Sequence, residues 1–88
     1  MKEINYIQKY HFNKTIGRYL GRIRRSAGFS RTQVVLATDM SQRELCGYET
    51  GAIPLPSNLF VRLIELCDAD HFKAYDTINK AGEFLRTH

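Results

Sequence analysis

Ser30–Gly51, SRTQVVLATDMSQRELCGYETG, is the stretch whose reading decides the fold. Val34, Val35 and Thr38 share one side of a first short helix, and Leu45 and Tyr48, three residues apart, share one side of a second. Asp39 and Met40 make a tight turn between them, and Ser41 follows with a side-chain oxygen able to cap the second helix. With Leu45 and Tyr48 turned inward, the 3.6-residue period turns Arg43, Cys46, Gly47 and Thr50 outward, with Gln42 flanking them at the helix start.

Such a pair predicts a helix-turn-helix, whose second helix lies in the DNA major groove. Charge supports that expectation by its distribution more than by its sum of +4. Lys14, Arg18, Arg22, Arg24, Arg25, Arg31 and Arg43 face a single acid, Asp39, between residues 14 and 43, whereas seven acids outnumber four bases from Glu44 onward. A basic run is usually a solvated helix face, but this one coincides with the motif that would have to meet phosphates.

Working outward, 88 residues allow one domain with one modest core. Sparse glycine and proline, and the lack of a hairpin signal, predict an all-α fold: a compact bundle of about five helices with an N-terminal extension and an extra C-terminal helix. Residues 1–13 form the extension, 14–70 the helix-turn-helix domain and 71–88 the last helix. In the extension Ile4, Tyr6, Tyr10 and Phe12 alternate as in a strand, while Ile4, Ile7 and His11 fit a helix, and a short helix is expected. It serves either as an arm bringing Lys2 and Lys9 to DNA or, given its aromatic content, as an element that packs on a partner subunit.

Ile16–Gly28 reads as a helix with Ile16, Leu20 and Ile23 on one face, Thr15 as its N-cap and Gly28 as a left-handed terminator. Phe29 enters the core and Ser30 caps the next helix. Pro54 and Pro56 break the chain after Gly51. A helix to Leu66 then carries so wide an apolar face (Leu59, Phe60, Leu63, Ile64, Leu66 and Cys67) that it is expected at the centre of the bundle. Asp70 caps the last helix, on which Phe72, Tyr75, Ile78 and Leu85 form apolar surface in need of a cover and predict a homodimer interface.

Residues Ile16 to about Ala69 resemble the Cro and lambda-repressor type of DNA-binding domain, also called the xenobiotic-response-element family. Ile16-Gly17, Leu20, Ile23-Arg24, Gly28-Phe29-Ser30, Ser41, Leu45, Tyr48-Glu49, Gly51, Leu59, Leu63 and Leu66 carry the resemblance. It implies that Arg24 and Glu49 form a structural pair, that Arg31 takes a phosphate-contacting position usually held by glutamine, and that Gln42, Arg43 and Gly47 read bases from a recognition helix spanning 42–49. Ser41, Glu44, Cys46 and Thr50 are flanking positions, with Glu44 orienting Arg43, accepting from cytosine or facing solvent. Arg22, Arg18 and Lys14 join Arg31 at phosphates.

Three departures from the pattern bear on affinity. Asp39 stands where glycine is usual and brings a negative charge close to DNA. Leu36 and Gly47 replace residues that are usually polar; Gly47 costs about 1 kcal/mol of helix propensity relative to alanine while letting DNA approach closely. After Gly51 the usual basic residues are missing, so affinity is expected to rest on the first-helix arginines and on dimerisation.

Scattered histidines, no phosphate-cradling glycine loop and no nucleophile beside a base predict no enzyme, no cofactor and no metal. Cys46 and Cys67 read as reduced thiols, with a redox role for Cys46 supported only by its position. Absence of a long apolar run or a secretory leader predicts a cytoplasmic protein without membrane contact. The expected function is therefore a dimeric repressor on palindromic double-stranded DNA. An antitoxin that binds its own promoter and a toxin protein is the alternative.

Overall fold

The structure, a computed structural model, describes the backbone of residues 6–87 and the side chains of residues 9–82. Five helices follow one another: α1 (Tyr6–Ser26), α2 (Arg31–Thr38), α3 (Gln42–Thr50), α4 (Ser57–Leu66) and α5 (His71–Thr87). Among the described residues there is no strand, so the fold is all-α as expected.

The first helix begins earlier than its expected cap. Residues 6–13 are helical and run without interruption into the rest of α1, and Thr15 is no cap: mid-helix, its hydroxyl donates to the carbonyl of His11 at 2.9 Å. No glycine or proline breaks residues 6–16, and Phe12 extends the apolar stripe of Ile16, Leu20 and Ile23 backward by one turn. Residues 1–5, including Lys2 and Ile4, lie outside the described residues.

At its other end α1 stops as expected. Gly28 sits at φ 81°, its N–H donates to the Arg25 carbonyl at 3.0 Å, and the N–H of Phe29 reaches back to the Arg24 carbonyl at 3.1 Å. This Schellman pattern satisfies carbonyls that the helix end leaves free. Helix α4 ends in the same way, but on a non-glycine residue: Asp68 is left-handed at φ 50°, and the N–H of Ala69 bonds the Ile64 carbonyl at 3.0 Å. Asp70 then opens α5, its Oδ1 accepting from the backbone of Phe72 and Lys73.

Leu20, Val34, Leu45, Leu63 and Ile64 are the largest fully buried side chains among the described residues. Each buried aliphatic of this size stabilises the fold by about 1.5–3 kcal/mol relative to exposure. The wide face of α4 does reach this core through Phe60, Leu63 and Ile64, but the helix at the centre is α1, against which both α3 and α5 pack. Glycine makes the first of these contacts close, because a Cβ on Gly17 would overlap the Tyr48 carbonyl oxygen and lie 2.7 Å from that of Glu49. The backbone of α3 thus rests directly on α1.

Along the opposite flank α5 runs antiparallel to α1, bringing Lys73 near Tyr19 and Lys80 near His11 and Thr15. Ala74 and Ala81 are buried at this contact and Ile78 is partly buried against the core. Ile78 is therefore part of the monomer's own packing, not surplus surface, since α5 folds back over the first turns of α1. Phe72 and Tyr75 do stay outside, 87% and 51% exposed. The Leu85 side chain lies outside the described residues.

Candidate nucleic-acid interface

Both helices of the central motif start on a capping box. Ser30 Oγ accepts from the Gln33 N–H at 3.1 Å while Gln33 Oε1 accepts from the Ser30 N–H at 2.8 Å. Ser41 and Glu44 repeat the arrangement at α3, at 3.0 and 3.2 Å. Each box satisfies two donors that a helix start leaves unpaired. The Glu44 carboxylate thereby closes the cap while remaining exposed, and it makes no ion pair with Arg43 among the described residues. The turn between α2 and α3 runs through Asp39 at φ 62°, whose N–H bonds the Val35 carbonyl at 3.0 Å. At the far end Gly51 is left-handed, φ 83°, and a Cβ there would lie 2.7 Å from Lys14 Cα, so both backbone angle and close approach demand glycine.

Helix α3 is consequently fixed at both ends, and Leu45 and Tyr48 are buried beneath it. Gln42, Arg43, Cys46 and Thr50 are exposed, as the helical period predicts. Gln42 does not hang free: its Nε2 donates to Thr32 Oγ1 at 2.8 Å, leaving the second amide hydrogen and the carbonyl oxygen for another partner. Thr50 Oγ1 donates back to the Cys46 carbonyl at 2.9 Å.

Gly47 departs from expectation. It is buried, a Cβ built on it would overlap Ile53 Cδ1, and its carbonyl accepts from the Ile53 N–H at 3.1 Å. The missing side chain makes room for the returning loop, not for DNA, and the outward orientation assigned to Gly47 is corrected. With Leu45 and Tyr48 inward, residue 47 lies at the edge of the apolar face, and the path of the loop decides which side it joins.

Beneath α3 the expected pair is present. Arg24 Nε donates to Glu49 Oε2 at 2.7 Å and Arg24 Nη2 to Oε1 at 3.2 Å, with both residues buried. Arg24 Nη1 also donates to the Phe29 carbonyl at 2.9 Å, tying the α1–α2 connection to α3. A third member joins them: Arg31 Nε donates to Glu49 Oε1 at 3.2 Å, and Arg31 Nη2 lies at the same distance. Arg31 remains 44% exposed at its side chain, so it keeps a face toward solvent. Its distance in sequence from Glu49 hid this contact.

Arg18, Arg22 and Arg25 are exposed on α1 and have no ion-pair partner among the described residues. Lys14 is partly buried, with Nζ 5.6 Å from the Tyr10 ring centre in a cation–π contact. Arg25 had no role assigned from sequence, although it sits three residues beyond Arg22 and seven beyond Arg18, a spacing that shares one helix face. Burial pushes the Cys67 thiol up, with Glu49 adding to the shift and Arg24 opposing it. Cys46 stays exposed. Among the described residues no cluster of His, Cys, Asp and Glu suited to a metal forms, and no helix is long and apolar enough to cross a membrane.

Residues 15–71 match the family model described as "Helix-turn-helix domain". No curated protein and no solved structure matches the chain. The matched stretch covers well over half of the sequence and contains both capped helices, the left-handed turn and the buried Arg24–Glu49 pair, and the chain belongs to the helix-turn-helix domain family.

Proposed function

We propose that the chain is a cytoplasmic, sequence-specific transcriptional regulator of the Cro/lambda-repressor type, a repressor that binds a palindromic operator as a homodimer. The observation that carries this reading is the exposed Gln42, Arg43, Cys46 and Thr50 face of a helix capped at both ends and anchored by Glu49, beside a field of arginines. Gln42 and Arg43 stand at the start of α3, the part of a recognition helix that goes deepest into the groove. Arg43 offers a two-pronged fork to guanine, and Gln42 an amide to adenine. Gly47 lies buried against Ile53 and stays outside this surface. Arg31, Arg22, Arg18 and Lys14 meet phosphates, which set register without reading sequence.

Dimerisation uses the exposed Phe72 and Tyr75 of α5. The same exposed pair favours a second reading, an antitoxin that covers this surface with a toxin protein. Selection of bound duplexes from a random pool tests the first reading: recovery of a palindromic consensus supports it, and an unenriched pool rejects it. A small protein co-purifying in stoichiometric amount from the native host would instead support the antitoxin.

A further inference from the structure

We propose that the hollow where the second half of α1 meets the α4–α5 link binds a small apolar amino acid in its zwitterionic form, with the carboxylate toward Arg22 and the ammonium toward Asp68 and Asp70. No residue of α3 lines it, and the site stands independently of the DNA-binding reading. Its lining comes from α1, from residues 67–70 and from Lys73 on the first turn of α5, and its volume is about 400 Å³. That falls within the roughly 300–1,000 Å³ usual for small-molecule sites.

Opposite charges line this hollow without meeting. Arg22 and Lys73 bring two cations and Asp68 and Asp70 two carboxylates, yet no ion pair joins either cation to either carboxylate among the described residues. Asp70 Oδ1 is committed to the backbone of Phe72 and Lys73 as the cap of α5, which leaves Oδ2 without a partner among the described residues. Balanced charges favour neither a bare anion nor a bare cation. A molecule carrying both signs on a short frame satisfies the two sets at once, through charge-assisted hydrogen bonds at each end. Bound there, it ties the α4–α5 link to α1.

Tyr19 supplies the second observation. It is only 9% exposed, yet its hydroxyl has no hydrogen-bond partner among the described residues. No polar side-chain atom among them is sealed from solvent without a partner, so this hydroxyl opens onto the hollow that Tyr19 lines. Burial pushes the Tyr19 phenol up, with Asp70 adding to the shift and Arg22 opposing it, so the group stays protonated and both charged side chains act on it. A ligand carboxylate gives this donor the acceptor that a largely buried hydroxyl ordinarily has. Ile23, Ala27 and Ala69 beside it offer apolar surface to the ligand's side chain.

The test titrates the full chain, without DNA, with L-leucine, with isocaproate, which lacks the ammonium, and with isoamylamine, which lacks the carboxylate. Leucine at millimolar concentration should shift the backbone amide resonances of residues lining the hollow, and each of the other two should bind about tenfold more weakly, the loss of one charged hydrogen-bonding group. Tyr19→Phe removes the hydroxyl and keeps the ring beside Phe60, so it should hold the melting temperature while weakening leucine several-fold. Asp68→Asn suits the left-handed backbone at this position and should bring leucine down toward isocaproate. Isocaproate or isoamylamine binding as tightly as leucine would mean a site for a single charge and overturn the proposal. So would a Tyr19→Phe or Asp68→Asn variant that binds leucine like the parent, or a parent whose amides stay unmoved by leucine at tens of millimolar. A Tyr19→Phe variant that melts markedly lower would give the hydroxyl a structural partner and overturn its part in the site.

Discussion

Helix α3 exposes Gln42, Arg43, Cys46 and Thr50, whereas α5 exposes Phe72 and Tyr75. A polar face loses little by remaining in water, while exposed apolar area forgoes about 25 cal/mol per Å² that burial would return. The two helices are also held differently. Caps at both ends and the buried Glu49 carboxylate fix α3, and two alanines with a partly buried Ile78 seat α5 on α1. The contrast teaches that the α3 surface is built before any partner arrives, and that the outer face of α5 gains stability only when something covers it.

Glu49→Ala should have the largest effect on this contrast. It leaves the buried Arg24 guanidinium without its carboxylate, at a cost of roughly 3–5 kcal/mol, and should lower the melting temperature markedly. Chemical denaturation checks this; an equally stable variant that has lost DNA binding would give Glu49 a role in binding alone. Next comes Arg43→Ala, which should remove about 1–3 kcal/mol of base discrimination while preserving most binding to scrambled duplex. Titrations against operator and scrambled sequences decide it, and equal losses on both take Arg43 out of the base-reading set.

On α5 the double change Phe72→Glu and Tyr75→Glu should yield monomers in sedimentation, with monomer stability altered by only about 0.5 kcal/mol per site because both side chains are exposed. An unchanged dimer would move the interface elsewhere. Ile78 is unsuitable for this test, since its partial burial would confound dissociation with unfolding.

The smallest perturbation is chemical. Cys46 is exposed and should react with iodoacetamide, while the buried Cys67 thiol, pushed up by desolvation, stays silent in the folded protein. Bound duplex should slow the Cys46 reaction if α3 lies in the groove, and an unaltered rate would place that face away from DNA. These outcomes would separate a surface fixed in advance from one completed by a partner.

What was legible in the sequence was local. Ser30, Ser41 and Asp70 as caps, Gly28 as a terminator and Asp39 at the turn fix helix ends through hydrogen bonds and backbone angles spanning only a few residues, so residue type and spacing carry the information. The inward sides of α2 and α3 follow from helical period for the same reason. Thr15 misled because a hydroxyl that can cap a helix can also bond back to the carbonyl four residues earlier, as it does to His11.

Tertiary structure alone decided the rest. Nothing local to Gly47 says that Ile53 returns over it, and nothing local to Arg31 says that it shares a carboxylate 18 residues away. The centrality of α1 likewise depends on α3 and α5 arriving on its two flanks, and the burial of Ile78 on α5 folding back over the start of α1. In each case a residue near the edge of a helical face can join either side, and it is the distant chain packed against it, through burial and charge pairing, that settles which.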